Sequence, residues 1–380
     1  MESVCRYPIV FVHGVFGWGC DEGIDQKMPY WGATTGSLTD YLSEQGYTCY
    51  SASVGPISSA WDRACELYAR LTGTVVDYGK AHSEKANHRR FGRKYDKPLF
   101  DGWGSERKVH LIGHSFGGNT IRLLVHLLTY GDADEQAATT DGSISALFTG
   151  GKGDWVQSAV TICAPHNGTS TVDILNKFKI MRPTKAIVYN YAGLVGRSRA
   201  NGGMVDFHME QYGLSDTPGR RDAVKLREAK REIHSHTDCL DFDLSPEGAA
   251  YWNSYIRMNP NVYYFSYYYN AVAPTKSGKR THASQTDFPL MKATSTAMLH
   301  YGKSSGESDC GNDGLVDVSS AQYPITEPHR DFDADCIEPG IWNVMPERQG
   351  DHGTPIGLMA DAEQTHQLYL DMLGILQKTE

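Results

Sequence analysis

The pentapeptide Gly113-His114-Ser115-Phe116-Gly117 constrains this chain more than any other stretch. The aliphatic run Val109-His110-Leu111-Ile112 leads into it, and Thr120 to Leu128 leads out with helical spacing. Strand, tight turn and helix in that order place a serine at a bend whose flanking positions need glycine, which accepts backbone angles other residues resist. The bend lifts the hydroxyl clear of a sheet. Gly-x-Ser-x-Gly alone is a weak signal in a chain with 39 glycines. The strand and helix around it make Ser115 a candidate nucleophile rather than a simple helix cap.

The rest of the chain is consistent with that unit. Tyr7 to Val12 is a continuous apolar run of the kind expected in a buried parallel strand, and it ends in His13-Gly14-Val15-Phe16-Gly17. A helix is expected over about 36–45, a strand over 47–52, a helix over 62–72 and a strand over 158–164. The alternation predicts an α/β fold, a mostly parallel central sheet with helices on both faces. Beyond Pro165 the pattern is less regular. Residues 172–240 look helical and are broken at Asn201-Gly202-Gly203, Ser245-Pro246-Glu247 reads as a capped helix start, and Asn261 to Tyr267 returns to strand. Residues 270–310 show little periodicity and read as an excursion from the core. All 380 residues are expected to form one domain with insertions.

Composition removes several function classes. A formal charge of −9 without long basic runs argues against a nucleic-acid partner. The apolar-leaning stretch from Ala186 to Gly196 is too short to span a bilayer, and Met1 to Arg6 runs straight into a strand with no visible signal peptide. Of the eight cysteines, Cys65 and Cys163 lie in apolar segments and are expected as buried thiols. Cys310 and Cys336 bracket a loop-rich stretch and are the better candidates for a disulfide. No C-x-x-C spacing points to thiol redox chemistry.

Hydrolysis through a serine needs a base, a carboxylate to orient it, and donors for the oxyanion. Asn312-Asp313-Gly314 places an aspartate in a sharp turn, and Gly350-Asp351-His352-Gly353 places a histidine on a loop late in the chain. His300 and His329 are alternatives to His352 on these grounds. The natural oxyanion donors are the main-chain N–H groups of Val15, after the first strand, and Phe116, after the serine.

Many separate segments now resemble one family in the same order. They include His13-Gly14, Ser51 to Ser59, Trp61-Asp62-Arg63-Ala64-Cys65-Glu66, Val76 to Gly79, Arg90 to Arg93, Ala164 to Thr169, Asp243-Leu244-Ser245, Asn312-Asp313-Gly314 and Asp351-His352. The chain resembles the thermoalkalophilic lipases of Bacillus and Geobacillus type, relatives of the staphylococcal lipases. The resemblance implies an α/β-hydrolase fold with a helical lid and a zinc-binding insertion, the insertions falling at about 60–100 and 172–240. It implies ester hydrolysis, especially of acylglycerols, through an acyl-enzyme on Ser115, with His352 as base, Asp313 as its orienting acid and Val15 and Phe116 as oxyanion donors. An esterase of short soluble esters, a phospholipase, or a non-catalytic binder of apolar ligands are the alternatives.

The resemblance further implies a structural zinc held by Asp62, His82, His88 and Asp238; the six-residue histidine spacing alone would suggest only solvated side chains. The family's calcium site uses acids two and seven positions beyond the catalytic histidine. Here those positions are Thr354 and Met359, with Asp361 and Glu363 nearby, so no calcium site of the family type is expected. The stretch corresponding to the lid, about 173–201, contains Pro183, which predicts a shorter or broken lid helix. The substrate partner would be a lipid or ester, at an oil–water interface if the lid functions. Secretion is expected from the family.

Overall fold

The computed structural model describes residues 4–179, 204–213, 237–273, 283–284, 288–305 and 310–380. Seven strands form the central sheet: β1 (Ile9–Val12), β2 (Cys49–Ala52), β3 (Val109–His114), β4 (Val156–Ile162), β5 (Tyr263–Tyr267), β6 (His329–Asp331) and β7 (Trp342–Val344). Their spatial order is β6-β7-β5-β4-β3-β1-β2, and every pairing is parallel. β1, β3 and β4 are buried along their whole length, as parallel strands covered on both faces must be.

The two faces follow from the period of two in the strands. Val10, Val12 and Leu111 turn to one side, where helices Ala60–Thr72 and Phe116–Tyr130 supply the facing side chains. Ile9, Phe11 and Ile112 turn to the other, against helices Leu38–Glu44 and Ala362–Gln377. This is an α/β-hydrolase fold. Its loops at the carboxyl ends of β1 and β3 meet above the sheet, where open α/β folds place their sites.

Some expectations fail. Residues 289–305, read as part of an irregular excursion, form the helix Pro289–Ser305. Its inward positions include Met291, Ser295, Met298 and Leu299, so a buried serine dilutes the apolar repeat. Cys310 and Cys336 are not joined; the Cys336 thiol instead lies 3.3 Å from both Arg330 Nη1 and Glu338 Oε1. Of the lid stretch, helix Ser170–Lys177 is in place, whereas Pro183 and the Asn201-Gly202-Gly203 break lie outside the described residues. Among the described residues no helix is long and apolar enough to cross a membrane.

Candidate active site and metal centre

Ser115 sits between β3 and the helix Phe116–Tyr130 at φ 56°, in the left-handed region that costs any non-glycine residue strain. Its side chain makes no cap hydrogen bond. The flanking glycines are steric necessities: a Cβ on Gly117 would lie 2.2 Å from the Val12 carbonyl oxygen, and one on Gly113 2.5 Å from the Gly117 backbone. The strained turn is therefore held by close packing of β1 against the helix start.

His352 reaches the same place from the loop after β7. Its Nδ1 lies 2.8 Å from Asp313 Oδ2, and its main-chain N–H donates to the Asp313 carbonyl at 2.8 Å. The second carboxylate oxygen of Asp313 accepts from the N–H groups of Leu315 and Val316 at 2.9 and 2.8 Å. A carboxylate acceptor at Nδ1 requires the proton there, which leaves the Nε2 lone pair available. Ser115 and His352 both line a cavity of about 400 Å³ whose walls are otherwise mostly apolar, among them Val15, Phe16, Val172, Leu244 and Met291. His300 and His329 are exposed and line no part of it; the His329 ring stacks on Tyr323.

The loop after β1 is tightly held. Phe16 N–H is taken by the Pro56 carbonyl at 3.0 Å, while among the described residues no protein acceptor takes the N–H of Val15 or Phe116. Beneath the loop lies Arg63, fully buried, donating to the carbonyls of His13 and Gly55 and to Thr120 Oγ1. Burial lowers its pKa to about 10. Nothing in the spacing of Arg63 signals this role, because its acceptors, two main-chain carbonyls and the Thr120 hydroxyl, are brought together only by the fold.

A second polar centre lies on the flank. Asp62 begins the helix Ala60–Thr72, His82 lies on helix Lys80–Ala86, His88 follows its left-handed Asn87 cap, and Asp238 precedes the short helix Leu240–Asp243. His82 Nε2 is 3.4 Å from Asp62 Oδ1 and 3.5 Å from Asp238 Oδ1. His88 Nε2 is 3.7 Å from Asp62 Oδ1 and 3.4 Å from Asp238 Oδ2. Ligands at about 2.1 Å from a tetrahedral ion stand about 3.4 Å apart, so these spacings suit a zinc-sized centre. Asp62 Oδ1, His82 Nε2, His88 Nε2 and Asp238 Oδ2 are buried without a hydrogen-bond partner, a costly state that an ion among them relieves. His88 Nδ1 faces the Arg89 carbonyl at 2.9 Å, which turns its Nε2 lone pair toward the cluster, and Gln211 donates to Asp62 Oδ2 at 3.0 Å. The four residues form a group able to hold a metal ion. Burial opposes charge on His82, but Asp238 and Asp62 raise its pKa to about 10, so protons compete for this site when no ion is bound.

The positions of the family's calcium acids are used otherwise. Thr354 Oγ1 accepts from Asp351 N–H at 2.9 Å, Met359 is exposed, and Asp361 caps the helix Ala362–Gln377 through Gln364 N–H.

A serine at a strand–helix elbow lining one cavity with a buried histidine–aspartate pair, on a seven-stranded parallel sheet, defines an α/β hydrolase. The chain belongs to the lipase-like C-terminal domain family, whose pattern matches residues 5–373. It is 38% identical over 363 residues to a lipase of Staphylococcus hyicus, an alignment covering 92% of this chain and 53% of that protein. The chain thus spans about half the length of the curated relatives it matches. The crystal structure of Staphylococcus hyicus lipase superposes with a TM-score of 0.85 at 33% identity, covering 100% of this chain and 97% of the other. The structure of lipase 1 from Pelosinus fermentans gives 0.78 at 34% identity, with 98% and 99% coverage.

Proposed function

We propose that this chain is a serine ester hydrolase of the lipase type, cleaving acylglycerols or related lipid esters. The observation that carries the reading is the 2.8 Å contact between His352 Nδ1 and Asp313 Oδ2 beside the apolar cavity that also holds Ser115. His352 Nε2 takes the Ser115 proton as the hydroxyl attacks the ester carbonyl. Asp313 holds the imidazole and stabilises its cationic form, and the N–H groups of Val15 and Phe116 receive the oxyanion. His352 then gives its proton to the leaving alkoxide; a water next attacks the acyl carbonyl as His352 takes its proton, and His352 returns that proton to Ser115 Oγ as the carboxylic acid leaves.

Asp62, His82, His88 and Asp238 would hold a zinc ion. When bound it ties the segment around 60–100 and the residues near 238 together, away from the reacting atoms, and supplies no activated water. In this reading the chain is one hydrolase domain, with insertions at about 60–100 and 172–240. Secretion follows from the family resemblance, and its test is whether ester hydrolysis appears in the medium of producing cells.

Phe16 lines the cavity yet is half exposed, an apolar ring on which an acyl chain could pack. The test is hydrolysis of p-nitrophenyl esters from two to sixteen carbons by the wild type and by Ser115→Ala. Turnover on long chains that disappears with Ser115→Ala supports a lipase. Turnover confined to short chains makes it an esterase of soluble esters, and no Ser115-dependent turnover overturns the reading.

A further inference from the structure

Between the loop after β1 and the loop bearing His352 runs a chain of three hydrogen bonds. Gly14 N–H donates to Tyr30 Oη at 2.9 Å. Tyr30 Oη lies 2.7 Å from His114 Nδ1, and His114 Nε2 lies 2.9 Å from the main-chain carbonyl of His352. All the participants are buried, His114 almost completely.

The chemistry allows one assignment of protons. A carbonyl oxygen only accepts, so His114 carries its proton on Nε2 and offers a lone pair at Nδ1. The Tyr30 hydroxyl must then donate to Nδ1, and its oxygen accepts from Gly14. Burial, reinforced by the neighbouring His352, holds the His114 pKa well below the ordinary histidine range, so the ring is neutral and the assignment persists. Burial likewise raises the Tyr30 pKa and keeps the phenol protonated. Each bond polarises the next in the same direction.

The ends of the chain matter. Val15 N–H and the Gly14 carbonyl belong to one peptide plane. That carbonyl accepts from His13 Nδ1 at 2.8 Å and from Gly17 N–H at 3.2 Å. With its N–H bound to Tyr30, Gly14 is fixed on both sides. The other end grips the backbone of His352 itself, whose ring centroid is 4.7 Å from that of His114.

We propose that Tyr30 and His114 are a pair of positioning residues that set the oxyanion donor at Val15 and the base at His352 in one frame. This rests on the assignment of Ser115, His352 and Asp313 to ester hydrolysis. Tyr30→Phe keeps the ring and removes both of the bonds made by the hydroxyl. His114→Asn retains an acceptor near the Nδ1 position and loses the donor to His352.

The experiment measures kcat and KM on p-nitrophenyl butyrate, and the Kd of a butyl boronic acid that mimics the tetrahedral intermediate. In Tyr30→Phe, kcat should fall about 10- to 100-fold, less than the loss of a whole oxyanion donor. KM should stay within about twofold, and the boronic acid should weaken in parallel with kcat. His114→Asn should reproduce the split. The double variant should be within about twofold of the worse single, because both break one chain.

A Tyr30→Phe enzyme with kcat and boronic acid affinity within twofold of wild type overturns the proposal, whatever its melting temperature. Multiplicative losses in the double variant overturn it too, since they mean two independent packing residues. If Tyr30→Phe fails to fold, the kcat, KM and boronic acid comparison on His114→Asn decides alone. A wild type with no Ser115-dependent turnover is a different failure, that of the hydrolase assignment.

Discussion

Asp62 and Arg63 are consecutive on one helix and serve two different centres. The Asp62 carboxylate stands 3.4 Å from His82 Nε2 in the candidate metal site, while the Arg63 guanidinium donates to the His13 carbonyl at the start of the loop after β1. Neighbours on a helix point about 100° apart, so a single turn faces both ways. The orientation of that turn is a quantity both centres share.

Metal removal should therefore register twice. With the proposed zinc in that site, dialysis against a chelator is expected to remove it, lower the melting temperature by several degrees, and reduce kcat as the first turn of the helix loosens. Re-addition of zinc should restore both. Metal content by mass spectrometry with calorimetry and ester kinetics checks this; a fall in melting temperature with unchanged kcat would show that the two centres are uncoupled.

Arg63→Met should cost on the order of 3 kcal/mol, because buried carbonyls of His13 and Gly55 lose their donor. Arg63→Lys should rescue little, since an ammonium cannot reach three divergent acceptors in the plane of a guanidinium. Urea titration of the three proteins measures the difference.

Asp313→Asn should leave the fold intact and lower kcat by about 10⁴-fold, because an amide at that position favours the wrong histidine tautomer. Ester kinetics with circular dichroism as the folding control distinguishes this from unfolding.

His208 supplies a pH signature. It is fully buried, with Nε2 3.2 Å from Glu22 Oε1 and Nδ1 3.7 Å from Glu66 Oε2. Burial and Arg93 act to lower its pKa, yet Glu22, Asp206 and Glu66 carry it up to about 9. A histidine raised above its ordinary value of about 6.5 contributes stability below that pH and loses it as pH rises through about 9. The melting-temperature gap between wild type and His208→Gln should thus be widest below pH 6.5 and close progressively toward pH 9. A gap that is constant with pH would rule out the charged pair as its source.

The elbow was legible in the sequence because its signal is local: a buried strand, two glycines within van der Waals reach of other backbone, and a helix. The sheet's parallel character was legible through the unbroken apolar run of β1 and the strand–helix alternation around β3. The grouping of Asp62, His82, His88 and Asp238 was not legible from spacing. Asn87 ends the helix of His82 in a left-handed turn and swings His88 back beside it, a move no periodicity records, and only the family resemblance pointed to these residues. The contact between Tyr30 and His114 is not legible in the sequence because it spans 84 residues. The helix Pro289–Ser305 was missed because Ser295 occupies a buried position an apolar repeat would fill. Cys310 and Cys336 misled because flanking a loop says nothing about whether two sulfurs meet.

Cys65 and Cys163 are almost fully enclosed, and burial pushes both thiols far above the range in which they react. Cys65 rides on the helix of Asp62 and Arg63, and Cys163 Sγ sits within 4.8 Å of ligand atoms on His114 and His352. The fold thereby carries two silent stopwatches, one under each centre. Alkylation of either sulfur must wait for its own surroundings to breathe, so the order in which the two are tagged tells which centre comes apart first.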